Sequence, residues 1–440
     1  MRRLFDWARP LLRKNRIIHA LSWTSAGTAL VSIILFLRSA VLARLLSPAD
    51  YGIYGLATLV TAAIATLTSF GLPSSIIPRD LGDGETAADV LDTIWTAELF
   101  RQLLVTVLLA VAAYPGAKYL GDARVFPVLL IISLAPAIQG FSNIGMVLFQ
   151  KDVEFRNVVL LRIYSELLAT AGLVLLGYYI RNVFALAAGQ LLTSTTSVLL
   201  SYRFHPYRPR LRFHWEALRG SFSFSRSVLL ISVLTYITTQ FDNLVVGKYL
   251  GPAVLGAYLL AYRLCSMPVD LLGDVMSNVL FPAFAKARMS SQQDASITLL
   301  RRTVIISVTI FACVFGALHL LSGQVIQLIY GAKWAAAAPM LSLLAFVGLF
   351  RGIARTFTPF LMGTNRADLD AKAKMMETAV FVPAVLLLVP PYGAIGAAYA
   401  GILSYFIAAA VRVLFTAGLV RHHKLQMKAA YAEAKGTGGF

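Results

Sequence analysis

The sequence predicts an all-α polytopic membrane protein with twelve transmembrane helices in two parallel six-helix repeats. Three observations support this fold class. Hydrophobic residues make up 58% of the 440 positions and charged residues only 14%, which is more apolar than a soluble chain of this size. The apolar residues fall in runs long enough to cross a bilayer. A segment near the start of the chain also recurs about half a chain later.

The first copy of the recurring segment is RLLSPADYGIYGLAT (residues 44–58), and the second is KYLGPAVLGAYLLAY (residues 248–262), 204 residues later. In each copy a proline, Pro48 or Pro252, suits the first turn of a helix, where its missing N–H costs nothing. An even number of helices per half predicts parallel repeats, related by a pseudo-twofold axis along the membrane normal. The positions identical at this offset are Leu46, Pro48, Ala49, Gly52, Tyr54, Leu56 and Ala57 in the first copy.

A membrane-spanning helix needs about 20 apolar residues. The predicted spans cover residues 18–43, 51–72, 93–114, 125–149, 158–180, 183–202, 225–247, 254–280, 303–322, 334–360, 374–390 and 394–418. They divide the chain into a basic N-terminal segment (1–17), a first bundle (18–202), a basic amphipathic linker (203–224), a second bundle (225–418) and a basic tail (419–440). The two cysteines form no CxxC motif, so no disulfide framework, metal site or cofactor is expected.

Basic residues predict the orientation of the chain. With the N-terminus inside, 27 of the 39 Lys and Arg residues lie in cytoplasmic segments or near the cytoplasmic ends of spans, six in outer turns and the other six within predicted spans. Because positive residues concentrate in cytoplasmic loops, both termini are expected to be cytoplasmic. This distribution accounts for most of the net charge of +18, so nucleic acid is not an expected partner. The linker mixes arginines with aromatic residues and is expected to lie at the inner leaflet.

Charged residues inside the predicted spans must face protein or water, because each costs about 2.5–3.5 kcal/mol at the bilayer centre. Two pairs at helical spacing are expected to form local ion pairs that offset this cost: Glu98 with Arg101, and Arg162 with Glu166. Arg412 lies toward the end of the last predicted span, where its long side chain is expected to reach the interface.

Two arginines of the tenth predicted span, Arg351 and Arg355, share one helix face. No acid lies three or four residues from them on their outer side. Both side chains must therefore point to the protein interior instead of lipid. There they either meet acids from neighbouring helices or receive an anionic ligand, and the sequence leaves both alternatives open. The eighth predicted span carries a polar line along one face: Arg263, Ser266, Asp270, Asp274, Ser277 and Asn278.

Arg38 and Asp242 occupy equivalent positions in the two repeats, separated by the same offset. They predict either an interhelical salt bridge or opposite walls of a central aqueous cavity, lined by the first, seventh, eighth and tenth spans; we favour the cavity. The predicted substrate-pathway residues are Arg38, Arg263, Arg351, Arg355 and Asn278, and the candidates for ion coupling are Asp242, Asp270 and Asp274.

Several stretches resemble the Wzx-type oligosaccharide flippases of the multidrug/oligosaccharidyl-lipid/polysaccharide exporter superfamily. They are ARLLSPADYGIYGLATLV, SFGLPSSIIPRD, TQFDNLVVGKYLGPAVLGAYLLAYRL and VLFPAFAKA, and the similarity covers about residues 20–415. The resemblance implies two six-helix bundles around a central cleft. It also implies transfer of an undecaprenyl-diphosphate-linked oligosaccharide from the inner to the outer leaflet. Asp242, within FDNLVVGKYLG, is the best match to the family's charged cavity pattern.

The resemblance implies an inner-membrane transporter rather than an enzyme, and the sequence has neither a catalytic constellation nor a nucleotide-binding P-loop. Expected partners are the lipid-linked oligosaccharide and membrane lipid, with the polymerase and chain-length regulator of the same pathway as further candidates. Twelve predicted spans, rather than the fourteen of peptidoglycan-precursor flippases, disfavour lipid II. Two alternatives remain: a multidrug or cation antiporter of the same fold, which would rely on acids, and a membrane glycan polymerase, which short outer loops disfavour.

Overall fold

The computed structural model describes residues 2–69, 71–77, 85–152, 154–289 and 293–436. Side chains are described for all of these except residues 2–22, 85–86, 216–228, 230–231, 234, 278–279, 282, 285, 287–289, 293–295, 422–424 and 426–436. The helices in this part of the chain are α1 (Arg2–Leu45), α2 (Pro48–Leu67), α3 (Glu85–Leu120), α4 (Val125–Gly140), α5 (Met146–Lys151), α6 (Phe155–Ile180), α7 (Val183–Phe204), α8 (Trp215–Leu250), α9 (Pro252–Met289), α10 (Gln293–Leu320), α11 (Ser322–Ile329), α12 (Ala337–Gly363), α13 (Ala367–Tyr392) and α14 (Ala394–Gly436).

Within the described residues, ten helices are long and apolar enough to cross a membrane, and the chain is therefore a multi-pass membrane protein. These spans lie in α1, α2, α3, α6, α7, α9, α10, α12, α13 and α14. The all-helical fold class is confirmed at this level. The total of twelve spans, the overall repeat symmetry and the cytoplasmic termini stay predictions.

The chain divides into two compact units: Met1–Leu260 with Gly323–Ala337, and Ala261–Ser322 with Ala338–Phe440. In the first unit, α3 packs against α4, α6 against α1 and α7, and α2 against α4 and α8. In the second unit, α13 packs against α14, and Phe284, Phe357 and Phe360 lie in a buried apolar cluster. The boundaries predicted for the two bundles, the linker and the terminal segments stay predictions.

The predicted span at residues 125–149 is wrong in its extent, because the helix ends at Gly140. Buried Asn143 holds the chain in a turn beyond this point. Its backbone N–H donates to Ser201 Oγ at 3.0 Å, and its side-chain oxygen accepts the N–H of Gly145 at 2.9 Å. A helix continuing through Asn143 would place this N–H against its own helix instead. The hydrophobicity of residues 144–149 therefore reflects a separate short helix, α5.

The two copies of the repeated segment pack against each other at the start of α2 and α9, within the first unit. A Cβ on Gly52 would overlap the carbonyl group of Pro252, and a Cβ on Gly256 would overlap the carbonyl group of Pro48. These two contacts are equivalent under the offset of 204 residues. The helix starts can cross this closely only because both positions are glycine. Ser47 caps α2 by accepting the N–H of Asp50 at 3.2 Å.

Residues 205–214 form an irregular segment that is bound along α3. The Tyr207 hydroxyl donates to Asp92 Oδ1 at 2.6 Å, and the backbone N–H of Arg210 donates to the same oxygen at 3.0 Å. Arg212 donates to Asp89 Oδ1 at 2.9 Å. Acceptors on α3 therefore hold this segment in place, and its expected position at the inner leaflet stays a prediction.

Candidate functional site

The arginines of α12 and the aspartates of α9 meet within the second unit. Arg351 donates from Nη2 to Asp270 Oδ1 at 3.0 Å and from Nη1 to Ser266 Oγ at 3.1 Å. Arg355 donates to Asp270 Oδ1 at 2.6 Å and to Asp274 Oδ1 at 2.7 Å. Side chains four residues apart lie one turn apart on one helix face, so the two pairs face each other in register. We call these four charged residues the arginine–aspartate ladder.

The ladder is not sealed inside the protein. The exposed fractions of the Asp270 and Asp274 side chains are 47% and 42%, compared with 21% for Arg351 and 33% for Arg355. Gly273 gives Arg355 room to cross α9, because a Cβ at this position would lie 2.7 Å from the Arg355 Nε. Of the two alternatives that the sequence left open, the structure shows the arginines meeting acids from a neighbouring helix. Both arginines nevertheless stay partly exposed.

A second charged cluster, which we call the Arg412 cluster, lies deeper in the same unit. Arg412 is 5% exposed and donates to Asp370 Oδ1 at 2.7 Å. Glu377 is 4% exposed, accepts from Lys374 at 2.6 Å and lies 3.9 Å from Arg412. The expectation that Arg412 reaches the interface is therefore wrong, because acids from α13 hold it in the interior. The spacing of Asp370 and Glu377 could have signalled a polar face on α13.

Arg38 of α1 is paired with Glu166 of α6 at 2.9 Å, within the first unit. The local pair predicted between Arg162 and Glu166 is therefore wrong. Arg162 lies on the exposed side of α6, whereas Arg38 and Glu166 are 19% and 17% exposed. The attraction between two charges is stronger where there is less water, so Glu166 gains more energy from Arg38 than from the exposed Arg162. Arg38 is 128 residues away in the chain.

The pair predicted between Glu98 and Arg101 is confirmed, with two hydrogen bonds of 2.9 and 2.5 Å. Asp242 of α8 is 5% exposed and accepts a hydrogen bond from the Tyr258 hydroxyl at 2.7 Å. Arg38 and Asp242 each have another partner, which disfavours the salt bridge considered between them. Their role as walls of a central cavity stays a prediction.

The remaining two predicted pathway residues lie on α9. Arg263 is exposed, and the side chain of Asn278 lies outside the described residues. The part of the chain that the structure describes has no cluster of three or more His, Cys, Asp or Glu residues able to hold a metal ion. Chemically, the ladder is a neutral set of two guanidinium and two carboxylate groups. Its arginines present planar N–H groups, which bind phosphate oxygens well.

Comparison with known proteins identifies the family. The sequence model of the family described as "Polysaccharide biosynthesis protein" matches residues 41–339. The lipopolysaccharide biosynthesis protein WzxC of Escherichia coli (strain K12) is 26% identical over 404 residues, covering 90% of this chain and 81% of WzxC. The succinoglycan biosynthesis transport protein ExoT of Rhizobium meliloti (strain 1021) is 27% identical over 360 residues, covering 81% of this chain and 71% of ExoT.

Solved structures show the same fold. The lipid II flippase MurJ in an inward closed conformation matches with a TM-score of 0.71 and 16% identity, covering 89% of this chain and 87% of MurJ. An inward-facing multidrug resistance transporter of the MATE family matches with a TM-score of 0.68 and 15% identity, covering 90% of this chain and 96% of the transporter. These relatives are transporters and flippases, not catalysts. The chain has the fold of the multidrug/oligosaccharidyl-lipid/polysaccharide exporter (MOP) superfamily. It belongs to the polysaccharide biosynthesis protein family and has Wzx-type flippases among its relatives.

Proposed function

We propose that this protein is a flippase for lipid-linked oligosaccharides in the bacterial inner membrane. It moves an undecaprenyl-diphosphate-linked glycan from the cytoplasmic to the outer leaflet by alternating access of two helical bundles. The arginine–aspartate ladder is the observation that carries the proposal. Arginine at membrane depth is costly, and it is retained where a membrane protein binds an ion or an anionic substrate.

In this mechanism, Arg351 and Arg355 exchange their carboxylate partners for the diphosphate as the substrate enters. The exchange requires that water hydrate the released carboxylates, and the exposed fractions of Asp270 and Asp274, 47% and 42%, leave room for it. The ladder is neutral before binding, so the guanidinium groups are never left unpaired. The polyprenyl chain stays in lipid throughout. Asp242 is the leading candidate for ion coupling, because it is a buried acid within the stretch of α8 that the sequence predicts as the seventh span.

The alternative is a multidrug or cation antiporter of the same fold, which would bind cations with its intramembrane acids. The ladder disfavours this function, because Asp270 Oδ1 already accepts two guanidinium donors. A cation would have to displace two arginines to use this carboxylate. A membrane glycan polymerase, also considered from the sequence, gains no support from relatives named as transporters and flippases.

The test is transbilayer movement of undecaprenyl-diphosphate-linked oligosaccharide, labelled on the sugar, in proteoliposomes. A membrane-impermeant quencher reports the labelled sugar on the outside. We expect Arg351→Gln with Arg355→Gln to slow the initial rate about ten- to hundredfold, because charge-assisted hydrogen bonds are worth about 1.5–3 kcal/mol. The matched control is Arg366→Gln, which removes an exposed arginine of the same unit paired with Asp368 at 3.0 Å.

Two results would contradict the proposal. One is wild-type protein that moves no labelled glycan. The other is a double variant that moves the glycan as fast as the control variant.

A further inference from the structure

A cavity of about 510 Å³ with both polar and apolar lining residues lies in the first unit. Residues of α2, α3, α4, α7 and α8 line it. Its volume is in the range of pockets that bind small organic molecules. No residue of this cavity except Arg101 was predicted as part of a site from the sequence.

One wall of the cavity is a row of hydroxyl groups from Thr58, Thr61 and Thr66 of α2 and from Ser69, two residues beyond its end. The hydroxyls of Thr58 and Thr61 donate to backbone carbonyls one turn earlier, at 2.8 and 2.9 Å. A hydroxyl oxygen that donates in this way can still accept a hydrogen bond from a ligand. This wall therefore offers hydrogen-bond acceptors at fixed positions on a rigid helix.

Side-chain amides form the other polar groups of the lining. Gln139 donates to Ser194 Oγ at 3.1 Å, and Gln102 donates to Glu98 at 3.0 Å. Gln190 accepts from the Tyr54 hydroxyl at 3.1 Å. An amide has two donor hydrogens and an acceptor oxygen, so each of these residues retains hydrogen-bonding capacity after its single contact among the described residues. Between them lie small apolar residues, including Ala62, Ala65 and Ala135.

The cavity carries almost no net charge. Arg101 is the one charged side chain among the described lining residues, and Glu98 neutralises it through two hydrogen bonds. A diphosphate entering this space would lose its hydration without meeting an unpaired cation. A ligand with many hydroxyl groups and apolar C–H faces matches the lining much better. That description fits an uncharged sugar.

We propose that this cavity is a binding subsite for uncharged sugar residues of the transported glycan. The inference rests on the proposed flippase function and adds sugar recognition to it. The hydroxyl and amide lining of this cavity binds the sugar and contributes nothing to binding of the diphosphate. Specificity for the glycan would then reside mainly in this lining.

The test compares two probes in lipid nanodiscs containing the full chain. The first probe is undecaprenyl diphosphate bearing a neutral disaccharide, and the second is undecaprenyl diphosphate without sugar. Two changes disturb the cavity: Thr58→Val with Thr61→Val, which keeps the volume but removes two hydroxyls, and Ala65→Phe, which fills space. The matched control is Thr195→Val with Thr196→Val on α7, whose hydroxyls also bond only their own helix and do not line the cavity.

We expect wild-type protein and the control to bind the glycosylated probe more tightly than the bare one. Both cavity variants should lose about five- to twentyfold in affinity for the glycosylated probe, with affinity for the bare probe unchanged. Equal losses for both probes, or no loss for either, would overturn the subsite. A preference of the wild type for a uronic-acid disaccharide over the neutral one would also overturn it.

The same data separate the two proposals. Equal binding of both probes by wild-type protein would refute the sugar subsite but not the flippase function. Binding of neither probe would refute both proposals.

Discussion

Replacing Asp270 by asparagine should make this protein bind undecaprenyl diphosphate more tightly, not less. Asp270 Oδ1 accepts from Arg351 at 3.0 Å and from Arg355 at 2.6 Å, so it competes with the substrate for both guanidinium groups. In wild-type protein the ladder is neutral. In Asp270→Asn it carries one net positive charge, and the diphosphate no longer has to displace this carboxylate.

The magnitude follows from the geometry and exposure of Asp270. Two charges 4 Å apart interact by about 4 kcal/mol near a protein surface, but exposed ion pairs are worth only about 0.2–1 kcal/mol. Because the Asp270 side chain is 47% exposed, we take about 1 kcal/mol for each of its two contacts. Removing both competing contacts, about 2 kcal/mol in total, should tighten binding about thirtyfold.

The assay is equilibrium binding of undecaprenyl diphosphate to purified protein in nanodiscs, combined with transport in proteoliposomes. We expect slower turnover in Asp270→Asn, because the diphosphate is released into the outer leaflet less readily. The control is Asp368→Asn, which removes an equal charge from an exposed pair of the same unit and should change neither quantity. If Asp270→Asn keeps its melting temperature but binds more weakly, Asp270 supports the site instead of competing for it.

Three further predictions concern other parts of the molecule. Gly256→Ala should destabilise the protein by about 1–3 kcal/mol and lower its melting temperature, because the new Cβ would overlap a carbonyl group of α2. Gly316→Ala is the control, because a Cβ there meets no atom within 4 Å. Equal melting temperatures for the two variants would contradict the close crossing. Glu166→Gln should cost about 1–3 kcal/mol by leaving Arg38 partly buried without its carboxylate, and an unchanged thermal melt would contradict this. Burial, followed by the nearby positive charge of an arginine, lowers the pKa of His205 below its usual 6.5. The folded state therefore binds fewer protons, and the segment at 205–214 should lose stability as the pH falls through 6.5. Amide protection factors in this segment, corrected for the intrinsic exchange rate, that are as high at pH 5.5 as at pH 7.5 would refute this.

The sequence predicted the fold class because apolar runs and a half-chain repeat are properties of single segments. Length and composition alone identify a membrane span. Element ends were less predictable. The helix at 125–149 stops at Gly140 because Asn143 finds partners on α7 and in the segment that follows it, and these contacts are distant in the chain.

The sequence predicted which residues belong to the candidate site, but not which of them pair with each other. Helical spacing placed Arg351 and Arg355 on one face, yet the choice of Asp270 as their shared partner depends on the register between α9 and α12. Spacing was misleading for Glu166, whose partner lies on another helix. The Arg412 cluster was missed because its acids lie on a different helix.

The sugar subsite was missed for another reason. Threonine and glutamine are common in apolar helices, where threonine can satisfy its own hydroxyl against the backbone. Nothing in the spacing of Thr58 and Thr61 indicates that three other helices bring amides to the same space. Only the packing of the first unit assembles this lining.

The central claim is that Arg351 and Arg355 touch the substrate diphosphate. Solid-state NMR can measure it directly, through the dipolar coupling between arginine guanidinium nitrogens labelled with ¹⁵N and the ³¹P nuclei of bound undecaprenyl diphosphate. We expect couplings that correspond to hydrogen-bonded contact, lost when both arginines are replaced by lysine. Absence of such couplings in wild-type protein, or their persistence in the lysine variant, would contradict the account.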